Sequence, residues 1–217
     1  RDERNALTPH DLRDLFDLNA QPQRIAAHLQ QDPLLAQSLH DAPGLRVPGA
    51  FDSVDMGVRA ILGQQVTVKA ATTLSSRFAQ AFGEPCSTPF PDLSRYTVQP
   101  QRIAQATVDE IASLGIVSAR ARAILAFAGA CVEGSLRFNA TLTPDEIMTR
   151  LVALPGIGPW TAHYIAMRAL RWPDAFPKED IAIRNKLGGL TPKAAEVRSQ
   201  QWRPWRSYAV MHIWKSL

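Results

Sequence analysis

An all-α protein is expected from this chain on three grounds. Thr8-Pro9-His10-Asp11, Asp32-Pro33, Thr143-Pro144-Asp145-Glu146 and Thr191-Pro192 each place a capping side chain before a proline at the first helical position. Apolar residues between these starts recur at helical spacing. No run of alternating apolar and polar residues is long enough to demand a sheet.

Taken along the chain, the first two starts place helices from Pro9 and Pro33. Leu74, Phe78 and Phe82 recur at four-residue spacing and stop at Gly83. Pro85, Pro89, Pro91 and Pro100 then make one long irregular stretch. Ile124, Leu125, Ala128 and Val132 mark one face of a further helix, with Ser118 as its expected cap. The amphipathic segment from Pro144 runs into Leu154-Pro155-Gly156-Ile157-Gly158-Pro159-Trp160, and a second amphipathic segment opens there. Asp180 lies 22 positions beyond Gly158 and precedes the short helical segment 181–187 as its expected N-cap. No internal repeat or low-complexity segment appears.

The 154–160 segment carries the sharpest chemical signal. Two glycines separated by one apolar residue suit a tight turn with positive φ, pressed against a ligand where a Cβ would collide. Amides leaving such a turn into a helix start form a nest for an anion such as a DNA phosphate. The same glycines also suit a plain helix C-terminus. Asp180 likewise suits an N-cap alone as well as a catalytic carboxylate.

Composition narrows the classes. Lys+Arg 24 against Asp+Glu 20 gives a formal charge of +4 over 217 residues, which permits a polyanionic partner without requiring one. Apolar stretches are broken well before the ~20 residues a membrane span needs, and no signal-peptide pattern opens the chain. A water-soluble, cytoplasmic protein is expected, with no membrane partner. Cys86 and Cys131 are too few for a four-cysteine zinc or iron–sulfur site and lack CxxC spacing, so they read as reduced, inert thiols. The chain opens on Arg1, which fits a fragment or a processed product.

Three blocks occur in order: Arg59-Ala60-Ile61-Leu62-Gly63-Gln64-Gln65-Val66-Thr67, the 154–160 segment with Asp180, and Trp202-Arg203-Pro204-Trp205-Arg206-Ser207-Tyr208 with His212-Ile213-Trp214. Together they resemble the helix-hairpin-helix DNA glycosylase superfamily, in its 3-methyladenine DNA glycosylase II (AlkA) branch. The resemblance runs from about residue 12 to the end. It implies a two-lobed helical fold with the active-site cleft between the lobes. Residues 53–172 would form an inner lobe with the hairpin, and residues 1–52 and 173–217 a second lobe carrying Asp180 on one wall of the cleft. Relatives in this branch often carry an additional N-terminal β-rich domain, for which no counterpart is read here.

Site roles follow from the same resemblance. Asp180 becomes the catalytic carboxylate, stabilising the positive charge that builds on deoxyribose and orienting the attacking water. Trp160 occupies the position at which bifunctional relatives carry a Schiff-base lysine. With tryptophan there, a hydrolytic enzyme without lyase activity is expected. Trp160, Tyr164 and Trp214 would line the base pocket, where aromatic faces attract a cationic purine. Core packing is the competing role for each ring. Gly156 and Gly158 would grip DNA, and Gln64 and Gln65 would lie at the wedge that fills the gap left by the flipped nucleotide. A pair of solvated loop glutamines is the other reading of those two. The carbonyls of Val152, Leu154 and Ile157 would hold a structural Na or K ion, and no cofactor serves catalysis. Trp202 and Trp205 are assigned to core packing, with Arg203 and Arg206 outward, and His163 and His212 to ordinary packing or surface roles. Whether Lys178 acts on Asp180 or faces solvent stays open.

The expected function is base excision repair by a monomer acting on damaged duplex DNA at the nucleoid. It would flip alkylated purines, 3-methyladenine and 7-methylguanine among them, and hydrolyse the N-glycosidic bond. The alternatives are a non-catalytic helix-hairpin-helix DNA-binding module from a larger repair or adaptive-response protein, and a bifunctional glycosylase with lyase activity. The first would need neither Asp180 nor Trp160, and the second would need a lysine.

Overall fold

The computed structural model of the chain describes residues 8–138 and 142–217. The remaining positions of the two expected lobes, 1–7 and 139–141, lie outside the described residues. Helices follow one another as α1 (Pro9–Leu15), α2 (Pro22–Leu29), α3 (Pro33–Asp41), α4 (Ser53–Leu62), α5 (Val68–Phe82), α6 (Pro100–Ala104), α7 (Val108–Ala112), α8 (Ser118–Val132), α9 (Pro144–Ala153), α10 (Pro159–Ala169), α11 (Ile181–Lys186), α12 (Pro192–Ser199) and α13 (Arg206–Lys215). A 3-10 turn, Gln200–Trp202, precedes α13. Extended pairing among the described residues is an isolated bridge between Pro85 and Arg95, inside the proline-rich stretch. No helix of the described residues is long and apolar enough to cross a membrane.

The expected caps are made. Thr8 and Asp11, and Thr143 and Glu146, form reciprocal capping boxes; Asp32 accepts from the Leu34 amide and Thr191 from the Ala194 amide. Each such bond satisfies an orphan amide and stabilises its helix by about 1 kcal/mol. One expected cap is corrected: Ser118 is the first residue of α8, and Val117 precedes it without a side-chain bond. The buried face of α8 also differs from the expected one. Val132 is exposed, whereas Ala121, Ala123 and Phe127 are buried with Ile124 and Ala128.

The chain divides into two compact units, Asp52–Ile165 in one, and the residues up to Phe51 with Ala166–Leu217 in the other. Helix α10 runs through the boundary, so Ala166–Trp172 groups with the second unit and not with the hairpin.

In the 52–165 unit, α8 is the central element and packs against α4, α6 and α7. The Phe127 ring of α8 packs onto α4 at Gly57, where a Cβ would stand 2.1 Å from it. That is far inside van der Waals contact, so only glycine lets the two helices meet there.

In the other unit, α13 packs against α3 and α11 over a core that includes Leu35, Phe176, Ile183, Trp202, Val210 and Ile213. Buried polar groups tie this core together. Asp32 accepts from Trp202 Nε1 at 2.7 Å and Gln201 Nε2 at 3.0 Å and pairs with Arg198 at 2.8 Å. Arg206, expected to face outward, is buried. Its guanidinium donates to Asp174 at 2.9 and 3.0 Å and to Glu196 at 2.9 Å. A guanidinium this buried needs such planar, bidentate partners. Arg203, by contrast, is exposed and reaches Asp174 from the rim at 2.8 Å. Trp202 is a core residue, whereas Trp205 is half-buried, with Arg24 over its ring and the His28 ring against it edge-on.

Candidate functional site

The hairpin is built by the end of α9, residues 154–158 and the start of α10. Gly156 has φ +80°, and a Cβ on it would lie 2.7 Å from Ala123 Cβ of α8. It is therefore required twice, for its left-handed backbone and for its seat on α8. The Ile157 side chain is buried beneath the turn, and its amide donates to the Leu154 carbonyl at 3.2 Å. Gly158 departs from expectation, because its φ lies outside the left-handed region and a Cβ there would meet nothing within 4 Å. Its carbonyl accepts from the Ala162 amide at 3.0 Å, which makes it the residue entering α10. The fold therefore requires glycine at 156 and leaves an open approach at 158.

The turn between α4 and α5 meets this hairpin. Gln64 is half-buried and donates through Nε2 to the Gly156 carbonyl at 2.9 Å and to Thr161 Oγ1 at 3.0 Å. The Gln64 carbonyl accepts from Arg120 Nη2 of α8 at 2.7 Å. Gln64 is thus a strut within the protein rather than a solvated loop residue. Its neighbour Gln65 is exposed and holds φ +52°, an uncommon and strained conformation for a residue with a side chain. Sequence reasoning missed Thr161 and Arg120. Their partners lie 97 and 56 residues away, so no local pattern marks them.

Trp160 and Tyr164 occupy successive turns of α10. Their rings stack on each other at 5.4 Å between centroids and 6° between planes, and both are half-buried. The expected pair is therefore already one aromatic surface, and a base would meet it from outside rather than slide between the rings.

In the other unit Asp180 is the N-cap of α11, with the Ile183 amide donating to its Oδ1 at 2.9 Å. The residue is 9% exposed. Lys178, two residues before Asp180, pairs with Glu196 of α12 at 3.9 Å. The segment leading to Asp180 is pinned to the start of α13. Ser207 Oγ donates to the carbonyls of Trp172 at 2.7 Å and Ala175 at 3.1 Å, beside the Asp174–Arg206 pair. Trp214 is half-buried on α13, the helix against which α11 packs, so Asp180 and Trp214 are carried by adjoining helices.

His212 is buried, with Nδ1 3.0 Å from Ser38 Oγ, and burial lowers its pKa below the ordinary histidine value. Cys86 and Cys131 are free thiols, and burial pushes Cys131 up to about 12, so its reactive thiolate is suppressed. No group of three or more His, Cys, Asp and Glu side chains suited to a metal occurs among the described residues.

Comparison with known proteins connects this geometry to a family. The model described as "HhH-GPD superfamily base excision DNA repair protein" matches residues 58–207, and the AlkA N-terminal domain model matches residues 5–52. The second match relates residues 5–52 to the N-terminal domain of that branch, and its described residues are helices α1 to α3 and the approach to α4. The chain is 38% identical over 200 residues to DNA-3-methyladenine glycosylase 2 of Escherichia coli (strain K12), covering 92% of this chain and 68% of that protein. It is 39% identical over 209 residues to a Mycobacterium tuberculosis protein whose name joins "transcriptional activator" to "DNA repair enzyme AlkA". That match covers 94% of this chain and 42% of the relative, so the chain spans less than half of it. Among solved structures, the 3-methyladenine DNA glycosylase from Archaeoglobus fulgidus superposes with a TM-score of 0.75 at 18% identity, covering 94% of this chain and 72% of that one. At that identity the superposition speaks for the fold. The hairpin glycine seated on α8 and the extent of both sequence matches agree, and the chain belongs to the HhH-GPD superfamily of base excision DNA repair proteins, in its AlkA branch.

Proposed function

We propose that this chain is a monofunctional DNA glycosylase that removes alkylated purines, 3-methyladenine and 7-methylguanine among them, from damaged duplex DNA. The observation that carries the reading is Asp180, a nearly buried carboxylate held at the first turn of α11, in a chain of a base excision repair family.

The chemistry needs little more than that anion. As the base departs with the electron pair of the N-glycosidic bond, positive charge builds on deoxyribose, and a fixed carboxylate stabilises it far better than mobile water does. Water then forms the new bond to C1′, and its proton passes to the carboxylate. A base already made cationic by alkylation leaves as a neutral molecule and needs no acid. Trp160 supports hydrolysis over lyase chemistry, because an indole has no amine with which to form an imine. Trp160, Tyr164 and Trp214 are assigned to base recognition, where cation–π attraction is worth about 0.5–2 kcal/mol per contact. Flipping a damaged, weakly paired base costs less than flipping an intact one, which adds selectivity.

On the DNA side, the turn amides at Gly156 and Gly158 are assigned to a phosphate and Gln65 to the gap in the duplex. A monovalent cation on the carbonyls of Val152, Leu154 and Ile157 belongs to the same proposal. These are uncharged oxygen donors suited to Na or K, Val152 lies in the last turn of α9, and the Leu154 carbonyl keeps a second lone pair beside the one facing Ile157 N. The ion is structural and takes no part in bond breaking. The chain is assigned to act as a monomer, in the cytoplasm and on the nucleoid.

The test is release of free bases from methylated duplex DNA by the chain and by Asp180→Asn, with borohydride trapping alongside. Release that collapses in the variant, with no trapped adduct, is the expected result. A trapped adduct would refute the monofunctional reading, and salt-sensitive DNA binding without release would leave a binding module.

A further inference from the structure

We infer that Gln64 is a positioning residue whose side chain locks the spacing between the Gln65 turn and the Gly156 hairpin. The inference rests on the proposed reading of both turns as the elements that face DNA. It assigns Gln64 the task of making them act as one.

The argument is a closed triangle of contacts within the 52–165 unit. Gln64 Nε2 donates to the hairpin at two points, the Gly156 carbonyl at 2.9 Å and Thr161 Oγ1 at 3.0 Å. Arg120 Nη2 ties the Gln64 carbonyl to α8 at 2.7 Å. One turn further along α8, Ala123 is the seat of Gly156. Each of the three elements is therefore fixed to the other two. The amide has two N–H donors, and both point at the hairpin, so neither remains for a DNA base. Gln65, next in the chain, is exposed and left-handed, so the orientation of its side chain depends on the residue that anchors the turn.

A wedge and a phosphate grip on separate loops would each bind, but the wedge would enter the duplex only when the two happened to be in register. Displacements on the order of 1 Å can cost about 100-fold in rate when they misalign reacting groups. The strut removes that freedom. Its loss leaves the phosphate contacts intact, and hence both the affinity for intact duplex and the salt dependence, which counts phosphates neutralised.

The test compares wild type with Gln64→Met, which keeps length without the donors, and with Thr161→Val, which removes one acceptor from the opposite side. Affinity is measured for intact duplex and for duplex carrying a tetrahydrofuran abasic analogue, with a salt titration, a thermal melt of each protein, and single-turnover base release. The expected result is an abasic preference reduced about 10-fold in Gln64→Met and less in Thr161→Val, with intact-duplex affinity and salt slope within twofold of wild type. The double variant should be no worse than Gln64→Met alone. Unchanged abasic preference would overturn the proposal, as would a parallel loss on both duplexes with a shallower salt slope, which marks a direct DNA contact. Wild type that prefers the abasic duplex but releases no base would sink the glycosylase reading, and the binding ratios would still decide the strut.

Discussion

Replacing Gly156 with alanine should damage the hairpin for two separable reasons, and a second substitution tells them apart. At φ +80° an alanine pays for its left-handed backbone, about 1–2 kcal/mol. Its Cβ would also stand 2.7 Å from Ala123 Cβ, where carbon atoms rest at about 3.5–4.0 Å, and such overpacking costs about 1–3 kcal/mol more. For a chain of this size 1 kcal/mol moves the melting temperature by about 2–4 °C, so Gly156→Ala should melt roughly 4–20 °C below wild type. Ala123→Gly alone should lose about 1 kcal/mol as a glycine inside a helix. Combined, the two should be less harmful than their separate effects imply, because the missing methyl of residue 123 admits the new one at 156 while the backbone strain stays. The coupling expected is about 1–3 kcal/mol, read by thermal unfolding of the four proteins followed by circular dichroism. Affinity for intact duplex should fall in Gly156→Ala and recover in part in the double variant. Strictly additive losses would refute the account, since they would mean that α8 does not set the position of the hairpin.

Asp180 serves as both cap and proposed catalyst, and the two roles separate in the melting curve. Asn is as good a cap as Asp, so Asp180→Asn should melt within about 1 °C of wild type, whereas Asp180→Ala should fall about 2–4 °C. Both should lose base release by about 100-fold or more, and an Asn variant that keeps its rate would rule out the charge as the catalytic feature. Gln65→Gly should gain no more than about 1 kcal/mol of stability, because relief of the residue at φ +52°, about 1–2 kcal/mol, is offset by about 0.4–1 kcal/mol from glycine's greater freedom in the unfolded chain, while losing most of its preference for an abasic duplex; a variant destabilised by more than about 1 kcal/mol would refute the strain. His212 sets a pH dependence. Its folded pKa lies below the ordinary value near 6.5, so its stabilising contribution is complete above that pH and is lost as pH falls toward the folded value, because the unfolded chain takes up the proton first. Urea denaturation between pH 7.5 and 5.5 should show stability falling, at no more than about 1.4 kcal/mol per unit from this group, and His212→Gln should flatten that slope. An identical slope in the variant would place the effect elsewhere.

The helix starts at Thr8, Asp32, Thr143 and Thr191, the proline-rich break after Gly83 and the cap at Asp180 were all legible from the residues alone. Each depends on a side chain meeting a backbone amide two or three positions away, or on a proline's missing donor, so the information is local. The three sequence blocks also carried the family. Ser118 failed as a cap because a helix can begin one residue earlier with no side-chain bond at little cost, and sequence spacing does not register that choice.

What packing decided lies at long separation. Arg206 was expected outside because arginine is usually exposed, but Asp174 and Glu196, from two other elements, make its burial tolerable. Gly158 looked equivalent to Gly156 in sequence, yet only Gly156 rests on a helix some thirty residues upstream. Gln64 reads as a loop residue until the Gly156 carbonyl, 92 positions away, comes within 2.9 Å of its amide. Capping and turn formation act within a few residues and are written in the sequence. Contacts such as these exist only once the helices have been brought together, and the chain meets them after paying the entropy of closing long loops, so tertiary structure alone decides them.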